Sequence, residues 1–114
     1  MDEFERLLLK TIDETLRYTF GDVTTQAIYD YLEKKSCPIS EIPRKLNTFS
    51  IELRMILGTG RRQILGSAAI LEKTILKKLC LKLGIEFNEK GPVVFSDYIK
   101  KLREVYNHGK VRKF

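Results

Sequence analysis

The chain is predicted to be all-α, a compact bundle of about five helices around a central apolar helix. Three observations predict it. Apolar residues recur at three- and four-residue steps through most of the 114 residues. Glycine or proline stands where that period fails, at Gly21, Pro38, Gly58 and Gly84. Only residues 85–95 read as extended, which is too little to build a sheet. A length of 114 residues is near the commonest size of a single domain. Such a domain buries roughly two-thirds of its unfolded surface, enough for a core without disulfide staples.

The first helix is predicted over 2–20. Phe4, Leu8, Ile12 and Leu16 form an i, i+4 stripe, with Leu9 and Phe20 beside it. Asp2, Glu3 and Glu5 sit at the positive end of its dipole, and Gly21 ends it. A second helix follows from about Val23 to Lys35, capped by Asp22 or Thr24. Ile28, Tyr31 and Leu32 are its expected core face, with Ala27 at the edge. The third spans Ser40 to Leu57. Pro43 disfavours helix at Ile42 but suits a first turn. Leu46, Phe49, Leu53, Ile56 and Leu57 then recur in phase.

The fourth and most apolar helix is predicted over 61–83, with Gly84 as its C′ residue. Ile64, Leu65, Ala68, Ile75, Leu76, Leu79 and Leu83 share one side, widened by Leu71, Ala69 and Cys80. An apolar surface this broad predicts either a central post or a homodimer interface. Glu72 falls inside that apolar side: either it sees water through a break in the packing, or it is buried, as a functional carboxylate or with a partner for which Arg54, Arg17, Arg44 or a tyrosine hydroxyl are candidates. Residues 85–95 form a loop or a hairpin turning at 88–91. Ser96 is placed to cap a last helix carrying Tyr98, Ile99, Leu102, Val105 and Tyr106. The basic tail 107–114 is expected to fray.

Several function classes find no support. No apolar run reaches the roughly 18 residues of a membrane span. No paired His or Cys motif offers a metal site, and no cofactor motif is present. Cys37 and Cys80 have neither metal-like spacing nor a signal peptide beside them, so reduced thiols in the cytoplasm are the expectation. The single histidine, His108, sits in the tail without a catalytic set around it. No catalytic residue is assigned, and an enzyme is not expected.

Three constellations remain. Gly58, Gly60, Arg61 and Arg62 precede a helix start, where free backbone N–H groups and two guanidiniums could hold an anion. The same glycines suit a sharp turn equally well, and P-loop spacing is missing. The second constellation is Glu72 itself. The third is a helix-turn-helix look-alike over 28–57, with the turn at Asn47-Thr48 and a reading helix from Ser50 to Leu57. Arg44, Lys45 and Arg54 would be its nucleic-acid contacts. A net charge of +6 favours it. The missing turn glycine and the unbroken Leu46-Phe49-Leu53-Ile56 stripe oppose it, so any such binding should be weak and non-specific.

Thr11-Ile-Asp-Glu-Thr-Leu16, Gln26-Ala-Ile-Tyr-Asp-Tyr-Leu-Glu33, Glu41-Ile-Pro43, Phe49-Ser50 with Leu53, and Ile56-Leu-Gly-Thr-Gly60 together resemble a small archaeal output-domain family, the Nitrosopumilus-type output domain. The resemblance covers roughly residues 8 to 84, and Phe95-Ser-Asp-Tyr-Ile99 continues it. It implies a free-standing, signal-output-like module of unsettled biochemical role; a non-enzymatic interaction or regulatory module with a protein partner is the leading expectation, and a DNA- or RNA-binding protein the alternative. It carries no catalytic residues over, and no receiver domain is expected within this length.

Overall fold

The computed structural model describes residues 1–57, 68–88 and 94–109. They form α1 (Glu3–Lys34), a 3-10 helix (Ile39–Arg44), α2 (Leu46–Leu57), α3 (Ala68–Leu83) and α4 (Phe95–Gly109), with no strand among them. The all-α class is as predicted. The predicted start of the central helix, 61–67, lies outside the described residues, as does the loop at 89–93.

The first two predicted helices meet without a loop. α1 is interrupted at one residue, Gly21, with φ 83° and ψ 173°. That conformation is open essentially to glycine alone. The chain folds back there, because the Tyr29 hydroxyl donates to Asp13 Oδ1 at 2.7 Å across 16 residues. Burial first, and then this bond, raise the Tyr29 phenol above its usual range. Arg17 ties the corner further, with Nε 3.0 Å from Asp13 and Nη1 2.8 Å from Asp22. The core face of the second arm differs from expectation. Thr25, Ile28, Tyr29 and Leu32 are buried, whereas Ala27 is exposed and Tyr31 reaches out to Glu52 at 2.8 Å.

Two helices end in the same way. The Cys37 N–H donates to the Leu32 carbonyl and the Ser36 N–H to that of Glu33, with Ser36 at φ 64°. At the end of α3, Ile85 and Gly84 make the corresponding bonds to Cys80 and Leu81, with Gly84 at φ 73°. Both are Schellman caps, which satisfy carbonyls that have no intrahelical donor. Gly84 occupies the predicted C′ position.

α3 is the post of the bundle, packing against α1, α2 and α4. Ala68, Leu71, Ile75, Leu76, Leu79 and Cys80 are buried on it, while Ala69 is exposed, contrary to the predicted face. Over Ala68–Leu83 the other helices therefore cover most of its apolar side, leaving Ile70 and Leu81 exposed; Ile64 and Leu65 of the predicted face lie outside the described residues. In α4, Phe95, Ile99 and Leu102 are buried, but Val105 faces solvent. The helix runs to Gly109, so it includes 107–109; the rest of the tail expected to fray, 110–114, lies outside the described residues. Residues 85–88 are irregular.

Candidate functional site

A break in the helical backbone between the 3-10 helix and α2 builds a surface cleft. Pro43 is buried inside the 3-10 turn, and Lys45, at φ −127° and ψ 47°, leaves the helical region. The Lys45 carbonyl then accepts from Phe49 N at 2.9 Å and starts α2. The N–H groups of Leu46, Asn47 and Thr48 precede the first intrahelical donor of α2 and point out of its end. α4 begins alongside, its first bond running from Tyr98 N to the Val94 carbonyl. The two starts are joined by Ser96 Oγ, which donates to Asn47 Oδ1 at 2.8 Å. Ser96 was predicted as the cap of α4. It lies instead in the first turn and holds α2.

Between these helix starts lies a cleft of about 390 Å³, lined by residues 43–48, Ser96, Asp97 and Lys100. Three of its side chains are cationic. Lys45 is a strut, with Nζ 2.8 Å from Glu41 and 2.7 Å from the Ser36 carbonyl. The bond from Lys45 is also what lowers the Glu41 carboxyl below its usual range. Arg44 and Lys100 are exposed and have no ion-pair partner among the described residues. Among the described lining residues Asp97 is the sole carboxylate, and it sits in the first turn of α4. Two helix starts and two available cations favour an anionic group.

The same face of α2 continues as an apolar ridge. Asn47, Ile51 and Met55 follow at four-residue steps, so they stand above one another on the helix surface. Ile51 is 57% exposed and Met55 72%. The opposite side of α2, with Phe49 and Leu53, is fully buried.

The residues predicted as a nucleic-acid site are separated by their partners. Arg44 and Lys45 line the cleft. Arg54 instead faces Glu72 of α3 with both terminal guanidinium nitrogens, Nη2 at 3.2 and Nη1 at 3.4 Å. Glu72 is buried, its side chain 7% exposed, so the ionic partner expected for it is Arg54. The proposed turn at Asn47-Thr48 is helical and lies within α2, which corrects the helix-turn-helix register. The continuous apolar stripe is the physical reason, since a turn there would break the burial of Leu46, Phe49 and Leu53. Gly58, Gly60, Arg61 and Arg62 lie outside the described residues. Cys37 and Cys80 are buried free thiols, and desolvation raises both above the usual thiol range.

Sequence reasoning missed Lys100 and the Ser96–Asn47 bond. Their only signal was a serine before an apolar run, which fits a local cap as well as a contact 49 residues away. Among the described residues no helix is long and apolar enough to cross a membrane. No family model, no curated protein and no solved structure matches the chain.

Proposed function

We propose that this chain is a non-enzymatic interaction module that holds a segment of a partner protein along α2. The observation that carries this reading is the composite face. A cationic cleft with Arg44 and Lys100 opens at the start of the helix, and the apolar ridge Ile51–Met55 follows on the same side. Surface that combines a charge-fixing end with an exposed apolar ridge suits a peptide whose acidic residue sets the register and whose apolar residues supply burial. The signal-output-like role implied by the family resemblance is of the same kind, because an output module acts by contact.

The test is a display selection with peptides that combine acidic and apolar positions. The wild-type chain should enrich peptides carrying both. Arg44→Glu with Lys100→Glu should weaken those peptides at least about tenfold, the order expected when a charge pair is reversed. Met55→Asp should do the same from the apolar end, with melting temperatures unchanged because these side chains are exposed. Enrichment of no such peptide, or equal binding by the variants, contradicts the reading.

A further inference from the structure

A second surface lies on the α1–α3 side and is made of different residues. Arg6, Lys10, Glu14 and Tyr18 follow at four-residue steps along the first arm of α1. All four are exposed, and the stripe is about 18 Å long from the helical rise. α3 runs antiparallel beside it. Lys82 Nζ lies 2.7 Å from Glu14, and Lys78 Nζ stands 5.6 Å from the centre of the Tyr18 ring. Glu14 is therefore the single carboxylate of the stripe, and Lys82 already neutralises it. The bond from Lys82 lowers its carboxyl, and the fields of Lys10 and Lys78 add to that. Arg6, Lys10 and Lys78 remain as available positive charge.

The aromatic at the end of the stripe is unusual in its exposure. Tyr18 is 88% exposed, although its neighbours Leu16 and Ile12 are wholly buried. Among the described residues the Tyr18 ring meets the Lys78 ammonium, and its exposure shows that it contributes little to the core. A cation over one face of the ring leaves the opposite face for stacking.

We propose that this α1–α3 face binds single-stranded nucleic acid, with phosphates along Arg6, Lys10 and Lys78 and a base stacked on Tyr18. Single strands fit better than duplex. A stacked base must leave its own stack, and the face offers one lone ring beside a line of cations rather than an element shaped for a groove. The stripe accommodates about three nucleotides at roughly 6 Å each, and stacking of this kind tolerates any base. The residues are distinct from Arg44, Lys45 and Arg54.

The experiment is fluorescence anisotropy of a labelled ten-nucleotide oligo-dT against the full chain over a salt series. Three phosphate contacts predict a log–log salt slope of about −2, from about −0.7 per contact on single strands. Lys10→Gln should reduce that slope by about 0.7. Tyr18→Ala should weaken binding about tenfold, and Tyr18→Phe should restore it. Lys34→Gln should leave oligo-dT binding within about threefold, since that exposed side chain is not part of the stripe. The proposal is overturned by any of three results: no binding near 50 mM salt at about 100 μM protein, equal affinity of Tyr18→Ala and wild type, or binding to phosphatidylserine vesicles without binding to oligo-dT. The last would assign the face to an anionic membrane surface.

Discussion

Removing Arg54 should expose how the second and third helices are held together. Glu72 is 7% exposed and Arg54 43%, so the pair is buried on one side and wet on the other. Breaking a fully buried pair by deleting one partner costs about 3–5 kcal/mol, because the remaining charge is stranded. An exposed pair is worth about 0–1 kcal/mol. Once the guanidinium is gone, water can approach the carboxylate through the space it occupied. A loss of about 2 kcal/mol is therefore expected for Arg54→Ala. Glu72→Met should behave differently. It replaces a buried carboxylate by an apolar side chain of similar length and releases Arg54 to solvent, so stability should stay within about 1 kcal/mol of wild type. Urea unfolding at neutral pH reads both, and Arg54→Ala should lower the melting temperature by about 8 °C at about 4 °C per kcal/mol. The double variant should recover most of the loss. If Arg54→Ala lies within about 0.5 kcal/mol of wild type, or Glu72→Met is as damaging, the pair is not what compensates the buried charge.

Other substitutions separate backbone, core and cap. Gly21→Ala should cost about 1–3 kcal/mol by urea unfolding although an added Cβ meets nothing within 4 Å, because φ 83° with ψ 173° is closed to side chains. Leu76→Ala and Leu79→Ala should each cost about 2–5 kcal/mol, both being wholly buried, while Lys73→Ala should change stability by less than about 0.5 kcal/mol. Asp2 accepts from Glu5 N at 2.8 Å and caps α1, so Asp2→Ala should cost about 1 kcal/mol at neutral pH. The cap bond, and then Arg103, hold the Asp2 carboxyl below its usual 3.8. Its contribution is thus complete above that value and fades as pH falls through the lower folded-state value. Thermal melts of wild type and Asp2→Ala should accordingly converge in acid.

The fold was legible where one local rule decided it. Phe4, Leu8, Ile12 and Leu16 are buried as their four-residue spacing demands. Gly21 and Gly84 stand at positive φ where the period stops. Glu72 was visible as a charge in an apolar stripe, but whether it met water or one of several partners was not, and Arg54 was only one candidate among them. What escaped was non-local. Ala27 and Ala69 were too small for apolarity to fix their side of the helix, and both are exposed. Tyr29 was not placed in the core because its hydroxyl partner, Asp13, becomes adjacent only after the chain folds back at Gly21. The cleft needs the starts of α2 and α4 side by side, which no spacing in the sequence encodes. Arg44 and Lys45 were therefore legible as cations near a turn, but Lys100 was not.

The most direct test of the interaction surface is a ¹H–¹⁵N titration with a short synthetic peptide carrying two acidic residues followed, one turn on, by Leu and Phe. The account predicts saturable shifts concentrated at Arg44–Thr48, Ile51, Met55 and Ser96–Lys100, with the α1 amides around Lys10 and Tyr18 unmoved. Shifts spread over the α1–α3 face, or none at millimolar peptide, would contradict it.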